Sequence, residues 1–270
     1  MPELPEVETI VRGLRPAVLG RRIAAVEVRE RRLRTPVPPD LERQLCSRRI
    51  VDMTRHGKHI LVFLDDATVW LLHLGMTGRL TLRSRNGSGH PHDRLIVEIE
   101  GGGILAYNDI RRFGSVAVVA GATLEAALAP GVDALSAAFT GDHLWQSARA
   151  RRTSVKILLM DQRVVAGVGN IYANEILFHA GVRPHRLARR LSRRACGRVV
   201  EATRSVLTAA IASGGSTISD YRDGFDRFGW YQEQHTVYAR GGLPCRACGA
   251  RIRVTTLAGR STFWCPNCQR

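Results

Sequence analysis

The sequence predicts an α+β multidomain fold: a helix leading into an N-terminal β-sandwich or barrel, a helical middle, and a C-terminal zinc-finger β-hairpin. Three observations predict it. Seven short β-rich runs separated by turn residues lie between Ile23 and Val119: "IAAVEV", "HILVFL", "TVWLLHL", "RLTLRS", "LIVEIE", "ILAYND" and "SVAVVA". Strands at this density belong to a sandwich or a barrel. From about Thr123 to Ala212 the chain is rich in alanine, leucine and arginine, with Thr140 and Asp142 placed as caps ahead of helical runs. Finally, two C-x-x-C pairs close the chain.

The first helix is expected over Pro5 to Arg15. Proline suits the first turn, and Glu6 and Glu8 suit the positive end of the helix. Val7, Ile10, Val11 and Leu14 follow the i, i+3, i+4, i+7 spacing of one buried face. Pro16 and Gly20 are expected to end it. Within the β-rich region "RNGSGHPHD" reads as an exposed loop. After the helical stretch, "GGSTISDYRDGFDRFGWYQEQ" is a long glycine-rich polar loop, and loops of this length are commonly functional.

Cys245 and Cys248 form one pair, Cys265 and Cys268 the other, with sixteen residues between. In a chain with no secretory signal this spacing reads as one structural zinc held by four thiolates; two disulfides are the alternative. "RIRVTTLAGRSTFW" between the pairs reads as a hairpin with "LAGR" at its tip, where Arg260 is placed to meet phosphate. So small a module needs the metal to fold. Cys46 and Cys196 read as plain thiols.

Charge narrows the function. The 270 residues carry 40 basic and 24 acidic groups, a net +16. A surface of this kind attracts polyanions, nucleic acid first among them. The charge is uneven: Arg183 to Arg198 holds seven arginines and no acid, and no acid follows Glu233. No run approaches the roughly 18 apolar residues of a membrane span, and the N-terminus lacks the layout of a signal peptide. A cytoplasmic, membrane-free protein is expected. Only Lys58 and Lys156 are lysine among the 40 basic residues. Arginine cannot replace a deprotonatable amine or a compact ammonium, so both are candidate functional residues, with an ordinary exposed lysine as the bland alternative.

"MPELPEVETI", "RHGKHIL", "HLGMTGRL", "YNDIRRFG", "MDQRVVAGVGNIYANEILF" and "GRSTFWCPNC" together resemble the bacterial formamidopyrimidine-DNA glycosylases, over the whole chain and in the same order. The resemblance implies three domains: a β-sandwich over residues 1–132, a helix–two-turns–helix domain with a lesion-covering loop over 133–234, and a zinc finger over 235–270. It implies a monomeric base-excision-repair enzyme that removes oxidised purines, 8-oxoguanine and formamidopyrimidines, from double-stranded DNA. The same enzyme cuts the strand at the abasic site.

Residue roles follow from the same resemblance. Pro2, freed by loss of Met1, is the Schiff-base nucleophile. An α-amino group has a pKa near 8 against about 10.4 for lysine, so it is more often unprotonated at neutral pH. Glu3 moves protons to and from the sugar, and Glu6 lines the lesion pocket. Lys58 helps expel the phosphate, and Lys156 contacts the lesion side or a phosphate. Met76, Arg111 and Phe113 fill the gap left by the flipped base. Arg112, Asn170 and Arg260 hold phosphates, with Asn170 also capping the next helix, and His92 touches DNA. The chain departs from the family in three places: Ile110 where proline is usual before "RRFG", "APGVDAL" at the domain hinge, and "RDGFDRFGW" in the covering loop. Two other functions compete: a sister enzyme preferring oxidised pyrimidines, and a non-enzymatic zinc-ribbon DNA binder, which leaves "MPELPE" unexplained.

Overall fold

The computed structural model describes residues 2–85, 89–217 and 221–270. It divides into two compact units, residues 1–128 with 213–230, and residues 129–212 with 231–270.

The first unit opens with α1 (Leu4–Val18). Val7, Ile10 and Leu14 are fully buried and Val11 nearly so, as the spacing predicts; burying each such side chain contributes about 1.5–3 kcal/mol. The helix runs past Pro16, which was expected to end it, to Val18. In the last turn a proline forfeits only its own N–H bond, and the Leu19 N–H still reaches the Arg15 carbonyl at 2.9 Å.

Strands β1 (Ile23–Val28), β2 (Ile50–His56), β3 (His59–Leu64), β4 (Thr68–His73), β5 (Arg79–Arg83), β6 (Asp93–Ile99), β7 (Ile104–Asn108) and β8 (Ser115–Ala120) follow, with a short α2 (Leu41–Leu45) between β1 and β2. They form two four-stranded sheets, ordered β1-β6-β7-β5 and β2-β3-β4-β8, in which every neighbouring pair is antiparallel. One apolar cluster joins α1 to both sheets, with Trp70 and Tyr107 fully buried in it. This is the β-sandwich. Strand β2 was not among the runs picked out by pattern; Asp52, Arg55 and His56 break its alternation. A single helical turn, α3 (Leu124–Ala127), ends this part of the unit.

The covering loop, expected with the helical domain, is stitched to the sandwich instead. The Leu82 N–H bonds the Gly224 carbonyl at 2.8 Å, and the Ser216 N–H bonds Glu6 Oε1 at 2.7 Å. Sequence gives no sign of either contact. Residues 218–220 of this loop, and 86–88 of "RNGSGHPHD", lie outside the described residues.

The second unit contains β9 (Val132–Asp133) paired in parallel with β10 (Val165–Ala166). Its helices are α4 (Gly141–Arg149), α5 (Val155–Met160), α6 (Asn170–His179) and α7 (Arg193–Ala212). Thr140 caps α4, its hydroxyl accepting from the His143 N–H at 3.1 Å. The antiparallel hairpin β11 (Arg253–Leu257) and β12 (Arg260–Trp264) completes it. Ala258 and Gly259 both have positive φ, +47° and +72°, as a two-residue type I′ turn requires. The hairpin packs with the helices of this unit rather than standing as a separate body. No described helix is long and apolar enough to cross a membrane.

Candidate active site

The N-terminus is held, not frayed. Pro2 and Glu3 are buried. Glu6 is 1% exposed and both its carboxylate oxygens accept: Oε2 from the Glu3 N–H at 2.8 Å and Oε1 from the Ser216 N–H at 2.7 Å. Its main-chain carbonyl takes the Tyr221 hydroxyl at 3.3 Å. Gly215, at φ +82°, passes so close that a Cβ there would lie 2.9 Å from Glu6 Oε1. Glu6 therefore ties the first helical turn to the covering loop. Its buried oxygens are spent on backbone amides, which makes it a support of the site.

Lys58 occupies a two-residue turn between β2 and β3, where His56 pairs with His59. Gly57 takes the positive φ, +55°. Lys58 is only 7% exposed, so the exposed-lysine alternative fails. Arg55 braces the turn: its Nη1 donates to the Gly57 carbonyl at 3.1 Å and its Nε to Glu8 of α1 at 2.9 Å. Burial alone would raise the Glu8 pKa, but the bonds and charges of Arg12 and Arg55 outweigh it and hold the carboxyl below its ordinary range. The helix that follows Pro2 and the turn bearing Lys58 are thus tied together by one ion pair.

Beside Lys58, His59 and His73 face each other across β3 and β4 with ring centroids 4.9 Å apart. Burial, then the charge of His56, lowers His59 to about 4. Burial, then the charges of His59, Lys58 and Arg34, lowers His73 to about 3. Both rings are neutral at working pH and add no charge near Lys58. The unfolded chain binds these protons near pH 6.5, the native fold only below about 4, so the stabilisation is complete above 6.5 and is lost on acidification. Urea midpoints measured from pH 7 to 4 are expected to fall steadily, and to fall less in His59→Phe; the Glu8 pair adds a loss of the same sign below about pH 4.3.

Met76 and the Arg111–Phe113 segment lie in neighbouring loops, after β4 and after β7. Phe113 is 44% exposed, and the Arg111 guanidinium stacks 4.5 Å from its ring centre. Met76 is partly exposed and Arg111 and Arg112 exposed. Arg112 has φ +59° and an ion pair to Glu30 at 3.4 Å. Ile110, in place of the family's proline, is itself 44% exposed. His92 Nδ1 lies 3.2 Å from Arg94 Nη2, and its carbonyl accepts the Asp109 N–H at 3.0 Å.

In the second unit Gly169, not Asn170, is the N-cap of α6; Asn170 is its first helical residue. Asn170 Oδ1 makes no hydrogen bond. Gln162 steadies the loop before the helix, accepting from the Gly167 N–H at 2.8 Å and donating to the Met160 and Val168 carbonyls. Lys156 is wholly buried, where sequence allowed a DNA contact or an exposed side chain. Its Nζ donates to the Ser261 carbonyl and to Thr262 Oγ1, both at 2.8 Å. It anchors the hairpin directly beside the exposed tip residue Arg260.

Three further buried polar groups complete that anchorage. Asn174 Oδ1 accepts the Phe263 N–H at 2.8 Å. Glu175 accepts from the N–H groups of Thr236, Val237 and Tyr238 and from the Thr236 hydroxyl. Gln269 bridges the Cys265 N–H and the Val182 carbonyl. Helix α6 and the hairpin thus form one frame, carrying Asn170 and Arg260 together. Asn174 and Glu175 lie inside the quoted "MDQRVVAGVGNIYANEILF", where sequence marked only Asn170.

The four thiolates of Cys245, Cys248, Cys265 and Cys268 lie within 4.8 Å of one another. Cys248–Cys265 and Cys245–Cys268 are 3.4 and 3.9 Å apart. Tetrahedral zinc with Zn–S near 2.3 Å spaces its sulfurs by about 3.8 Å, whereas a disulfide requires about 2.05 Å. The sites fit one structural zinc and not two disulfides.

A β-sandwich with a buried N-terminal proline and glutamate is thus joined in one chain to a helical unit that bears a four-cysteine hairpin. Family models match residues 1–116 as the formamidopyrimidine-DNA glycosylase N-terminal domain, 130–222 as its H2TH domain, and 242–270 as the zinc finger found in FPG and IleRS. The formamidopyrimidine-DNA glycosylase of Thiobacillus denitrificans is 46% identical over the full length of both chains. The crystal structure of the MutM (Fpg) protein of Thermus thermophilus shares 40% identity and a TM-score of 0.89, covering 99% of this chain and 98% of that one. A Lactococcus lactis FPG mutant in complex with Fapy-dG-containing DNA matches at 29% identity and TM-score 0.91 over 100% of both chains. The chain belongs to the formamidopyrimidine-DNA glycosylase family.

Proposed function

We propose that this enzyme excises oxidised purines, 8-oxoguanine and formamidopyrimidines, from duplex DNA and then cuts the strand by β,δ-elimination. The observation that carries the reading is the buried, tethered N-terminus: Pro2, a secondary amine once Met1 is lost, lies buried beside Glu3 at the entrance of a rigid helix. The amine attacks C1′ of the damaged nucleotide and the C1′–N bond breaks, the base leaving with a proton. Ring opening gives an iminium ion at C1′. That ion is an electron sink, which acidifies the C2′ proton. Glu3 delivers the proton for ring opening and accepts protons as the iminium forms. Loss of the C2′ proton expels the 3′ phosphate, and a second elimination expels the 5′ phosphate. Lys58 assists phosphate departure.

Reaching C1′ requires extrusion of the nucleotide, at a cost of a few kcal/mol in stacking and pairing. Phe113 and Met76 fill the space vacated, and Arg111 hydrogen-bonds the orphaned base. Arg112, Asn170 and Arg260 hold phosphates, supported for Asn170 by its place in the first turn of α6, where free backbone N–H groups bind anions readily. His92 contacts DNA at the margin. Lys156 serves the interface through the hairpin it anchors. A lesion panel tests the substrate class: excision of 8-oxoguanine opposite cytosine and of formamidopyrimidine is expected to exceed that of oxidised pyrimidines at least tenfold in kcat/KM, a difference of about 1.4 kcal/mol in transition-state stabilisation. Preference for oxidised pyrimidines would assign the enzyme to the sister activity.

A further inference from the structure

The two loops that carry Met76 and Arg111–Phe113 are joined by a buried polar relay. Asp109 is fully buried. Its Oδ1 accepts the Thr77 hydroxyl at 2.6 Å; its Oδ2 accepts the Gly114 N–H at 2.9 Å and the Tyr107 hydroxyl at 3.2 Å. Since Thr77 donates its only hydroxyl proton to Asp109, its oxygen lone pair is free to accept the Arg111 N–H, which it does at 3.1 Å. The relay has one direction, from the Arg111 amide through Thr77 to the carboxylate.

Backbone contact reinforces it. Gly75, at φ +61°, lies so close to Phe113 that a Cβ would sit 2.4 Å from the Phe113 carbonyl carbon and oxygen. A Cβ on Gly114 would collide with the Tyr107 hydroxyl and lie 2.6 Å from the His73 carbonyl. His73 Nδ1 in turn accepts the Gly75 N–H at 3.1 Å. From below, Arg94 Nε donates to the Asp109 carbonyl at 2.9 Å. Burial, and then the neighbouring Asp109, push the Tyr107 hydroxyl well above its ordinary pKa, so it remains a donor.

We propose that Thr77 and Asp109 are positioning residues that lock the Met76 turn and the Arg111–Phe113 loop into a single rigid wedge. This rests on the reading that those three side chains fill the gap in the duplex. Neither residue touches DNA. Each acts by fixing the backbone from which the wedge side chains project, so that Met76, Phe113 and Arg111 enter the stack together and Arg111 meets the orphaned base at a fixed angle. The consequence is discrimination by the opposite base, which a wedge made of two independently moving loops cannot sustain.

Thr77→Val keeps shape and removes both relay bonds; Thr77→Ser restores the hydroxyl. Asp109→Asn is a second lesion: one of the two acceptor oxygens becomes an –NH2, which either faces the Gly114 N–H, a group that can only donate, or forfeits the bond donated by the Thr77 hydroxyl. Binding is measured on a duplex with a tetrahydrofuran abasic analogue and 2-aminopurine next to the gap, whose fluorescence rises on unstacking. Wild type is expected to bind and brighten the probe. Thr77→Val is expected to bind within about threefold of wild type, since the phosphate contacts are untouched, yet to lose at least half the fluorescence rise. Its preference for 8-oxoguanine opposite cytosine over adenine is expected to fall about tenfold, the effect of losing a buried hydrogen bond. Thr77→Ser is expected to recover both.

Wild-type fluorescence and discrimination in Thr77→Val overturn the proposal, as does equal loss in Thr77→Ser. A wild-type protein that binds without brightening the probe overturns it too. A wild-type protein that brightens the probe but excises nothing refutes the enzymatic reading while leaving the wedge intact.

Discussion

Glu3→Gln is expected to abolish base excision, by about a thousandfold or more in kcat, while duplex binding stays within a few-fold of wild type. General acid–base groups commonly contribute 10²–10⁴-fold, and here one carboxyl serves several proton transfers. The substitution is nearly isosteric, and the bond from the Glu3 N–H to Glu6 uses the backbone, which glutamine leaves in place. Pro2→Gly is expected to have a comparable effect on excision. Glycine supplies an amine, but it lacks the ring that fixes the backbone at the helix entrance, so the nucleophile is no longer held at one angle. Single-turnover excision and gel-shift titration on the same lesion duplex separate the two outcomes. A variant that loses binding as well as chemistry would indicate a collapsed terminus, and Glu6 with its two amide partners would then be the seat of the defect.

The second large effect concerns the metal. Removing zinc, or replacing Cys248 by serine, is expected to melt the hairpin and lower duplex affinity by at least a hundredfold, with the sandwich still folded. The hairpin's own core is Val237, Cys245, Ile252 and Cys265, and two of those four are ligands. Structural zinc supplies on the order of 10 kcal/mol to modules of this size, far more than such a core. Melting also strips Lys156 of its bonds to Ser261 and Thr262, among the apolar residues of α5. Zinc release followed with a chromophoric chelator, alongside gel-shift titration and near-ultraviolet circular dichroism, checks this. A chelated protein that binds duplex at full strength would contradict it.

Sequence made most of the scaffold visible because its signals are local. The α1 stripe, the seven alternating strand runs and the "LAGR" turn each lie within one window of chain, and all appear in the fold. Strand β2 escaped because charged residues break its apolar pattern: Asp52 holds Arg15 at 2.8 Å and the nearly buried Arg55 holds Glu8, and such pairings are made in three dimensions. The attachment of the covering loop to the sandwich escaped for the same reason. Its attachment is a backbone amide at Ser216 and a backbone carbonyl at Gly224, groups every residue possesses.

The site shows a similar division. The zinc ligands are marked by residue type and spacing; the acidic proline-rich start and the proposed wedge residues are marked only by their resemblance to the family. Burial is marked by neither. Lys156 drew attention as one of two lysines among arginines, and it does require a compact ammonium, but to hold two oxygens inside the protein. Asp109 and Thr77 lay within "YNDIRRFG" and "HLGMTGRL" unremarked, since nothing local distinguishes a loop aspartate that faces solvent from one that joins two loops. Asn170 was read one position early, as a cap; Gly169 takes that place with extended φ and ψ.

Borohydride trapping on a duplex containing 8-oxoguanine, with mass mapping of the cross-linked peptide, tests the central claim most directly. A single adduct is expected at Pro2, on chains that have lost Met1, and none on chains that retain it. An adduct on Lys58, or full excision by protein with Met1 still attached, would contradict the mechanism.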